Sequence, residues 1–195
     1  SLVAMLAIDE NVDGFVSISK HWIATNELAP VRKNRHEYAS QANCDKMVIG
    51  VDLNRNYPYM FANDDEGSSG EEDVCSEDYR GPEPFSEPET RALSDFVSNW
   101  TNIKVVVNLH AFGNLMIVPF NYDSAENKHL KEDFPLADQF YNHIHEHGHM
   151  PKGNRMGNGR VGVKYPANGE ASDYFLAEKG RYSMSPELGV NDKNS

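Results

Sequence analysis

The sequence predicts an α/β fold, a three-layer α/β/α sandwich with a mixed central sheet that is incomplete at both ends. Two observations support this prediction. Apolar runs of strand length alternate with stretches of helical periodicity, and the apolar run at residues 104–109 ends abruptly in the ionisable His110. No repeat or linker divides the sequence, so residues 1–195 are expected to form a single, partial domain.

The first part of the chain predicts two strands and much irregular structure. Residues 2–8 are an apolar run, which is typical of a strand. Residues 9–42 are rich in polar residues and predict mostly irregular structure, whereas residues 47–52 predict another short strand. Residues 62–78 are acidic and rich in Gly and Ser, which indicates a surface loop.

Helical periodicity becomes clear after Ser86. Residues 86–89 have the pattern of a capping box with Pro88 in the first turn. The apolar residues that follow at helical spacing are Ala92, Leu93, Phe96, Val97 and Trp100. This helix leads into residues 104–109, whose branched apolar side chains offer no side to water and therefore predict a strand buried on both faces.

A second helix follows that strand. Leu136, Phe140 and Ile144 recur at i, i+4 and i+8 on one side of this helix, which is expected to end near Gly148. Residues 153–162 are rich in glycine and basic side chains, and they predict a loop.

A third helix and a final strand complete the pattern. Residues 171–179 predict the helix, which Gly180 ends at a position suited to left-handed backbone. Residues 181–188 predict the strand, with Glu187 close to its end. Polar groups at strand ends matter because open α/β sheets place their ligands there.

His110 and Glu187 both stand at strand ends, and each has two interpretations. His110 is either a ligand or catalytic group, or a hydrogen-bonded structural residue. Glu187 is either a general base whose pKa is raised by partial burial, or an edge carboxylate paired with a basic side chain. Arg32, Asn54 and Arg55 together form a donor set of the kind that grips a carboxylate.

Composition excludes two classes of partner. The net charge of −12 and pI near 5.0 argue against binding to nucleic acid, whose phosphates require a basic surface. No apolar run approaches the roughly 20 residues that a membrane-spanning helix needs, which argues against membrane insertion.

Cys44 and Cys75 either close a loop through a disulfide or remain free buried thiols. The triplet at residues 99–101 is a glycosylation sequon, although such triplets often occur by chance. Together the two features favour a secreted or lumenal location, lysosomal included.

Several motifs occur in the order seen in one enzyme family. They are Gly50-Val51-Asp52-Leu53-Asn54-Arg55-Asn56-Tyr57, Tyr79-Arg80-Gly81-Pro82, Pro84-Phe85-Ser86-Glu87-Pro88-Glu89-Thr90, Leu109-His110, Tyr165-Pro166-Ala167-Asn168-Gly169 and Pro186-Glu187-Leu188-Gly189. In these motifs the chain resembles the zinc metallocarboxypeptidases of the carboxypeptidase A type, over essentially its whole length. The resemblance implies a hydrolase that removes C-terminal residues from peptides or proteins, using metal-activated water and a glutamate general base.

The resemblance also implies the groups that perform the reaction. His110 resembles the third zinc ligand, and Glu187 the general base. Arg32 resembles the cation that polarises the scissile carbonyl and stabilises its oxyanion. These residue types suit the chemistry, since zinc lowers the pKa of water, a carboxylate accepts the proton and an arginine meets the developing negative charge.

Other residues resemble the family's substrate-binding groups. Asn54 and Arg55 resemble the clamp on the free C-terminal carboxylate, and Tyr165 resembles the tyrosine that closes over bound peptide. Cys44 and Cys75 resemble the disulfide around the Asn-Arg motif, although Cys44 lies somewhat further upstream than in the family.

Ser172 matches the family's main specificity position at the floor of the side-chain pocket. It carries no charge, so we expect a preference for neutral, apolar or aromatic C-terminal residues. Glu170 and Asp123 are further candidates for the lining of that pocket, and a carboxylate there would alter the preference.

The sequence departs from the family in its metal ligands. The family's first two zinc ligands come from a His-x-x-Glu motif upstream of the Asn-Arg pair, and this motif is expected upstream of residue 1. The patterns at residues 129–132 and 143–146 match it in letters but follow His110 in polar segments. The family fold also continues beyond Glu187, and contact with a preceding N-terminal segment is expected.

Three functions remain open on this evidence. The first is an active zinc carboxypeptidase of which this chain is the C-terminal portion, inactive by itself. The second is a carboxypeptidase-like binding or structural module without a complete zinc site. The third is a related zinc amidohydrolase that acts on a non-peptide amide, which the pair Asn54 and Arg55 disfavours because it suits a free α-carboxylate.

Overall fold

The computed structural model of the chain describes residues 11–27, 31–149 and 153–189. Its helices are α1 (Val12–Thr25), α2 (Pro88–Asn99), α3 (Lys128–Asp133), α4 (Pro135–His147), α5 (Gly159–Gly162) and α6 (Ala171–Ala177). Its strands are β1 (Val105–Val107), β2 (His110–Ala111), β3 (Leu115–Ile117), β4 (Arg155–Gly157) and β5 (Tyr182–Leu188). None of the described helices is long and apolar enough to cross a bilayer.

The strands form a mixed sheet in the order β1-β5-β3-β4, and β2 also pairs with β5. β5 runs parallel to β1 and β2 but antiparallel to β3. β3 and β4 are parallel. The mixed sheet and the α/β class that the sequence predicts are therefore confirmed, and β5 connects the two halves of the sheet.

Two hydrophobic clusters pack helices against this sheet. Met116, Tyr182 and Met184 contact a cluster that includes buried residues of α4. Val106 contacts a second cluster that includes residues of α2 and α6. Val106 is the register partner of Ser183, so both side chains point to the same face of the sheet. Met184 follows Ser183 in β5 and points to the other face. The two clusters therefore lie on opposite faces. This arrangement is the predicted sandwich.

Most elements of the second half were predicted correctly. The helix after Ser86 is α2, and the second predicted helix is α4, with Gly148 at its C-cap. The predicted apolar side of α4 is shifted, because Leu136 is 70% exposed and the buried residues are Ala137 and Tyr141. The third helix is α6, and Gly180 has a φ of +60° shortly after its end. The final strand is β5 and carries Glu187.

The predicted burial of the strand before His110 is wrong. Val105 and Val107 are 42% and 49% exposed. Val106 packs against the cluster of α2 and α6 on one face of β1, whereas the described residues leave Val105 and Val107 on the other face largely uncovered.

The helix α1 at Val12–Thr25 was not predicted, because residues 9–42 were expected to be mostly irregular. The Asn11 side chain caps this helix by accepting a hydrogen bond from the Gly14 amide at 3.0 Å. Residues 47–52 do not form a strand, since their hydrogen bonds reach isolated partners and not a ladder. The strand predicted at residues 2–8 lies outside the described residues.

Two further local predictions are wrong. Ser86 does not cap α2, because Glu87 is the N-cap residue and the Ser86 hydroxyl donates to Glu87 Oε1 at 2.7 Å. Residues 153–162 are not all loop, because β4 and the short α5 lie within them. β4 forms by pairing with β3, a long-range contact that local glycine content does not reveal.

Candidate active site

One cleft gathers most of the side chains that the sequence singled out. The predicted site residues that line it are Arg32, Asn54, Arg55, His110, Tyr165 and Glu187. Glu170 also lines the cleft, whereas Ser172 and Asp123 are not among the lining residues. The cleft therefore combines cations, an imidazole and two carboxylates.

His110 and Glu187 are register partners in the parallel strands β2 and β5. Adjacent strands are about 4.8 Å apart, so the two side chains leave the sheet side by side on one face. Nδ2 of Asn108 lies 2.8 Å from Nε2 of His110. The same amide nitrogen donates to Oδ1 of Asn54 at 3.2 Å, which connects the imidazole to the neighbouring amide.

Asp52 holds the cationic side of the cleft together. Its Oδ2 accepts a hydrogen bond from Nε of Arg32 at 2.8 Å and lies 3.9 Å from Nη1 of Arg55. Its Oδ1 accepts a hydrogen bond from the Asn54 amide at 3.1 Å and so caps the 3₁₀ helix Leu53–Arg55. One buried carboxylate thereby positions two guanidinium groups and the main chain of Asn54.

Burial and charge set the protonation of these groups. Burial alone would raise the pKa of Asp52, but Arg32 and Arg55 outweigh it and lower that pKa. Burial raises the pKa of Glu187, with both arginines opposing the rise. Burial lowers the pKa of His110, which favours its neutral imidazole. A carboxyl group with a raised pKa is suited to accept a proton near neutral pH.

The loop closed by the disulfide reaches the Asn-Arg motif. Cys44 and Cys75 are bridged across 31 residues, which confirms the pairing that the resemblance implied. Within the loop, the Gly67 carbonyl accepts a hydrogen bond from Nε of Arg55 at 2.5 Å. Tyr165 lies at the cleft, 46% exposed, in the segment between α5 and α6.

Glu170 is the N-cap residue of α6, and its carboxylate has a shell of neutral donors. Oε1 accepts hydrogen bonds from Nδ2 of Asn54 at 3.2 Å and Oγ of Ser185 at 2.6 Å. Oε2 accepts from Nδ2 of Asn121 at 3.2 Å, the Ser172 amide at 2.7 Å, the Ser172 hydroxyl and the Asp173 amide at 3.1 Å. The Ser172 side chain is thus buried against Glu170.

The donor chemistry fits only part of a zinc site. A neutral imidazole such as His110 is a suitable ligand. Across residues 11–27, 31–149 and 153–189, however, no group of three or more His, Cys, Asp or Glu side chains could hold a metal ion. Catalytic zinc needs about three protein ligands, so these residues do not complete the site by themselves.

Three site residues were given no role by sequence reasoning. Asp52 stands two residues before Asn54, and this Asp-x-Asn spacing is a local indication of its capping role. Asn108 and Asn121 act through contacts with Asn54 and Glu170 that are distant in sequence. No local pattern could have identified those two.

Comparisons with known proteins identify relatives of this chain. The sequence model of a family described as "Zinc carboxypeptidase" matches residues 2–194. A metallocarboxypeptidase A-like protein of Trichophyton verrucosum is 31% identical over 186 residues, covering 91% of this chain and 39% of that protein. Carboxypeptidase A1 of Mus musculus is 30% identical over 184 residues, covering 94% of this chain and 39% of that protein.

A solved structure shows the same fold. Bovine thrombin-activatable fibrinolysis inhibitor, in complex with tick carboxypeptidase inhibitor, superposes with a TM-score of 0.63 at 29% identity. The match covers 94% of this chain and 57% of that one. The chain spans about two fifths of the length of the curated relatives named above.

Proposed function

This chain belongs to the zinc carboxypeptidase family, and on that basis we propose that the protein is a zinc-dependent carboxypeptidase that removes C-terminal residues from peptides or proteins. The observation that carries the proposal is the cleft in which a carboxylate-binding pair, an imidazole and a partly buried glutamate meet. Because the chain spans only part of its relatives' length, the proposal concerns the complete enzyme.

Asn54 and Arg55 bind the free carboxylate of the substrate in this proposal. Arg55 is held by the carbonyls of Gly67 and Asn54, at 2.5 and 2.8 Å. A guanidinium fixed in this way keeps its planar fork of N–H groups in one orientation, and such a fork suits binding of a carboxylate. Tyr165, half exposed at the cleft, covers the bound peptide.

Glu187 and Arg32 act on the scissile bond. The Glu187 carboxylate accepts a proton from the attacking water and passes it to the leaving amine. The Arg32 guanidinium, oriented by Asp52, stabilises the oxyanion that forms from the peptide carbonyl. His110 would be one ligand of the zinc ion, with the other ligands outside the described residues, and the bound ion would supply positive charge for polarising the carbonyl and activating water.

The proposed location is secreted or lumenal, lysosomal included. The Cys44–Cys75 disulfide supports it, since such bonds persist mainly in oxidising compartments.

The test compares two peptides that differ only at the C-terminus. The zinc-loaded complete enzyme should release the last residue of the free acid, and the amidated peptide should be hydrolysed at least about a hundredfold more slowly, because Arg55 then loses its charged partner. Equal rates of hydrolysis of the free acid and the amidated peptide would instead favour an amidohydrolase that does not require a C-terminal carboxylate on its substrate.

The second candidate function is a carboxypeptidase-like binding module without catalytic activity. It is favoured by the incomplete set of zinc ligands among the described residues. In that case the free acid would bind in preference to the amide, but neither peptide would be cleaved after zinc is added. Binding can be measured by calorimetry and cleavage by mass spectrometry on the same samples.

A further inference from the structure

We propose that Asn99 carries an N-linked glycan whose first sugar packs on the neighbouring rings of Phe96 and Trp100. Asn99-Trp100-Thr101 is the one Asn-x-Ser/Thr sequon in residues 1–195. The inference rests on the proposed secreted or lumenal location, where this modification takes place. It does not depend on the peptidase activity.

The sequon lies at a surface turn, where a glycan has room. Asn99 is the last residue of α2, and Asn99, Trp100 and Thr101 are all exposed. The chain turns directly after the helix, because the Ile103 amide donates a hydrogen bond to the Trp100 carbonyl at 3.1 Å. Thr101 and Asn102 therefore stand at the tip of the turn. Both groups that the modification requires, the Asn99 amide and the Thr101 hydroxyl, are reachable from outside.

The sequon and the cleft lie at opposite ends of the sheet. The chain leads from the sequon into the N-terminal end of β1, where Val105 pairs with Tyr182 of the parallel strand β5. Glu187 of the cleft lies near the C-terminal end of β5, about 17 Å further along the strand at about 3.3 Å per residue. A glycan at Asn99 therefore leaves the cleft open to substrate.

Two aromatic rings beside Asn99 offer a surface for the first sugar. Phe96 precedes Asn99 by about one helical turn, so the two side chains are neighbours on the surface of α2. The ring centroids of Phe96 and Trp100 are 6.2 Å apart, and Trp100 is 50% exposed. The C–H groups on one face of a pyranose ring pack well on the electron-rich faces of aromatic rings. The first N-acetylglucosamine thus covers apolar surface that water otherwise contacts.

The modification is a group transfer with one co-substrate, an oligosaccharide joined through a diphosphate to a lipid. Nδ2 of Asn99 forms a bond to C1 of the first sugar, and the bond between C1 and the lipid diphosphate breaks. The amide loses one proton, and the lipid diphosphate is the leaving group. The transferase of the secretory compartment recognises the Thr101 hydroxyl as part of the acceptor, so loss of that hydroxyl prevents the transfer.

The first experiment uses the complete enzyme, secreted by a eukaryotic cell. Peptide N-glycosidase should remove the glycan and convert Asn99 to aspartate, which peptide mass spectrometry should detect in most chains. Asn99→Gln and Thr101→Ala should abolish the modification, whereas Thr101→Ser, which keeps the hydroxyl, should retain it. Asn102→Gln is the matched control, because Asn102 is exposed at the same turn but belongs to no sequon.

The second experiment tests the contact with the aromatic rings. An endoglycosidase trims the glycan and leaves the first sugar on Asn99, whereas peptide N-glycosidase removes that sugar too. Trimming should leave Tm unchanged, and complete removal should lower Tm by about 2 °C, because only complete removal loses the contact with the rings. In Trp100→Ala, which keeps the sequon, most of this decrease should disappear.

Each part of the inference can be overturned separately. Unmodified Asn99 in secreted protein whose Cys44 and Cys75 are bridged refutes the glycan and leaves the proposed location standing. Unmodified Asn99 together with free thiols contradicts the proposed location as well. Equal Tm values for trimmed and fully deglycosylated protein, or a decrease that persists in Trp100→Ala, refute the contact with the rings. If Trp100→Ala does not fold, the two treatments of the wild type still decide.

Discussion

Arg55 donates a hydrogen bond through Nε to the main-chain carbonyl of Gly67, with 2.5 Å between the two atoms. Gly67 and Arg55 both lie in the loop that the Cys44–Cys75 disulfide closes. This contact within the loop orients the guanidinium that is proposed to bind the substrate carboxylate. A Cβ on Gly67 would lie 2.0 Å from the Pro166 carbonyl oxygen. The main chain at residue 67 can therefore lie this close to Pro166 only when residue 67 is glycine.

Gly67→Ala is expected to raise KM about tenfold with little change in kcat, because it shifts the carbonyl that orients Arg55 and weakens substrate binding. Gly180→Ala is the matched control. Both glycines have positive φ, +74° and +60°, but nothing lies within 4 Å of a Cβ on Gly180. Steady-state kinetics with equal KM values for the two variants would contradict the orienting role.

Removal of the Cys44–Cys75 disulfide should destabilise the fold. The bridge spans 31 residues, and the chain-entropy model gives about 3 to 4 kcal/mol for a loop of that length. Urea unfolding of the double variant Cys44→Ser/Cys75→Ser should show this loss. Native protein alkylated without reductant should gain no label, and two labelled thiols would refute the bridge.

Glu87 should contribute stability that depends on pH. Its buried carboxylate accepts hydrogen bonds from Asn34 at 2.7 Å, Tyr38 at 2.7 Å and Ser86 at 2.7 Å, and lies 3.0 Å from Nδ1 of His36. Burial alone would raise the pKa of Glu87, but these donors lower it below 4.5. The stabilisation is thus complete above pH 4.5 and decreases as the pH falls through the depressed pKa.

Glu87→Gln should therefore lower the free energy of unfolding at pH 7 by about 1.5 to 3 kcal/mol, the range for hydrogen bonds to a charged group. The difference from wild type should narrow below pH 4.5. Glu83→Gln, an exposed neighbour, should show little change at either pH. A Glu87→Gln deficit that stays constant with pH would contradict the assignment of charge.

Zinc binding by residues 1–195 alone should be weak, and this chain should show no peptidase activity. Its described residues offer His110 as one ligand where catalytic zinc needs about three. Calorimetric titration should detect no tight stoichiometric binding. Stoichiometric zinc that resists dialysis would mean that other side chains, such as His143, His145 and His147 of α4, are ligands.

The sequence predicted elements whose formation depends on local pattern. The helices α2 and α4 could be predicted because each contributes apolar residues at helical spacing to a cluster that packs on the sheet. The exposure of β1 and the absence of strand pairing at residues 47–52 could not be predicted. Both depend on which segments of the folded chain lie beside them. Val51 is fully buried, yet its amide bonds to the Asn34 side chain and not to a strand.

The same limit applies to the cleft. His110, Glu187 and the Asn54-Arg55 pair could be identified because each lies next to an apolar run or in a recognisable motif. The contacts of Glu170 with Asn54 and Ser185 join residues separated by 116 and 15 positions. Such contacts depend on the folded arrangement of α6 and β5, and sequence spacing does not reveal them.

The central claim is that Glu187 transfers the proton and that His110 binds the metal. Zinc content and kcat, measured on the same sample of each variant of the complete enzyme, test both roles. Glu187→Gln should retain stoichiometric zinc, measured by atomic emission, and lose about a thousandfold in kcat, since an amide fills the same space but accepts no proton. His110→Ala should instead lose the zinc. Near wild-type turnover by Glu187→Gln with zinc bound would contradict the account.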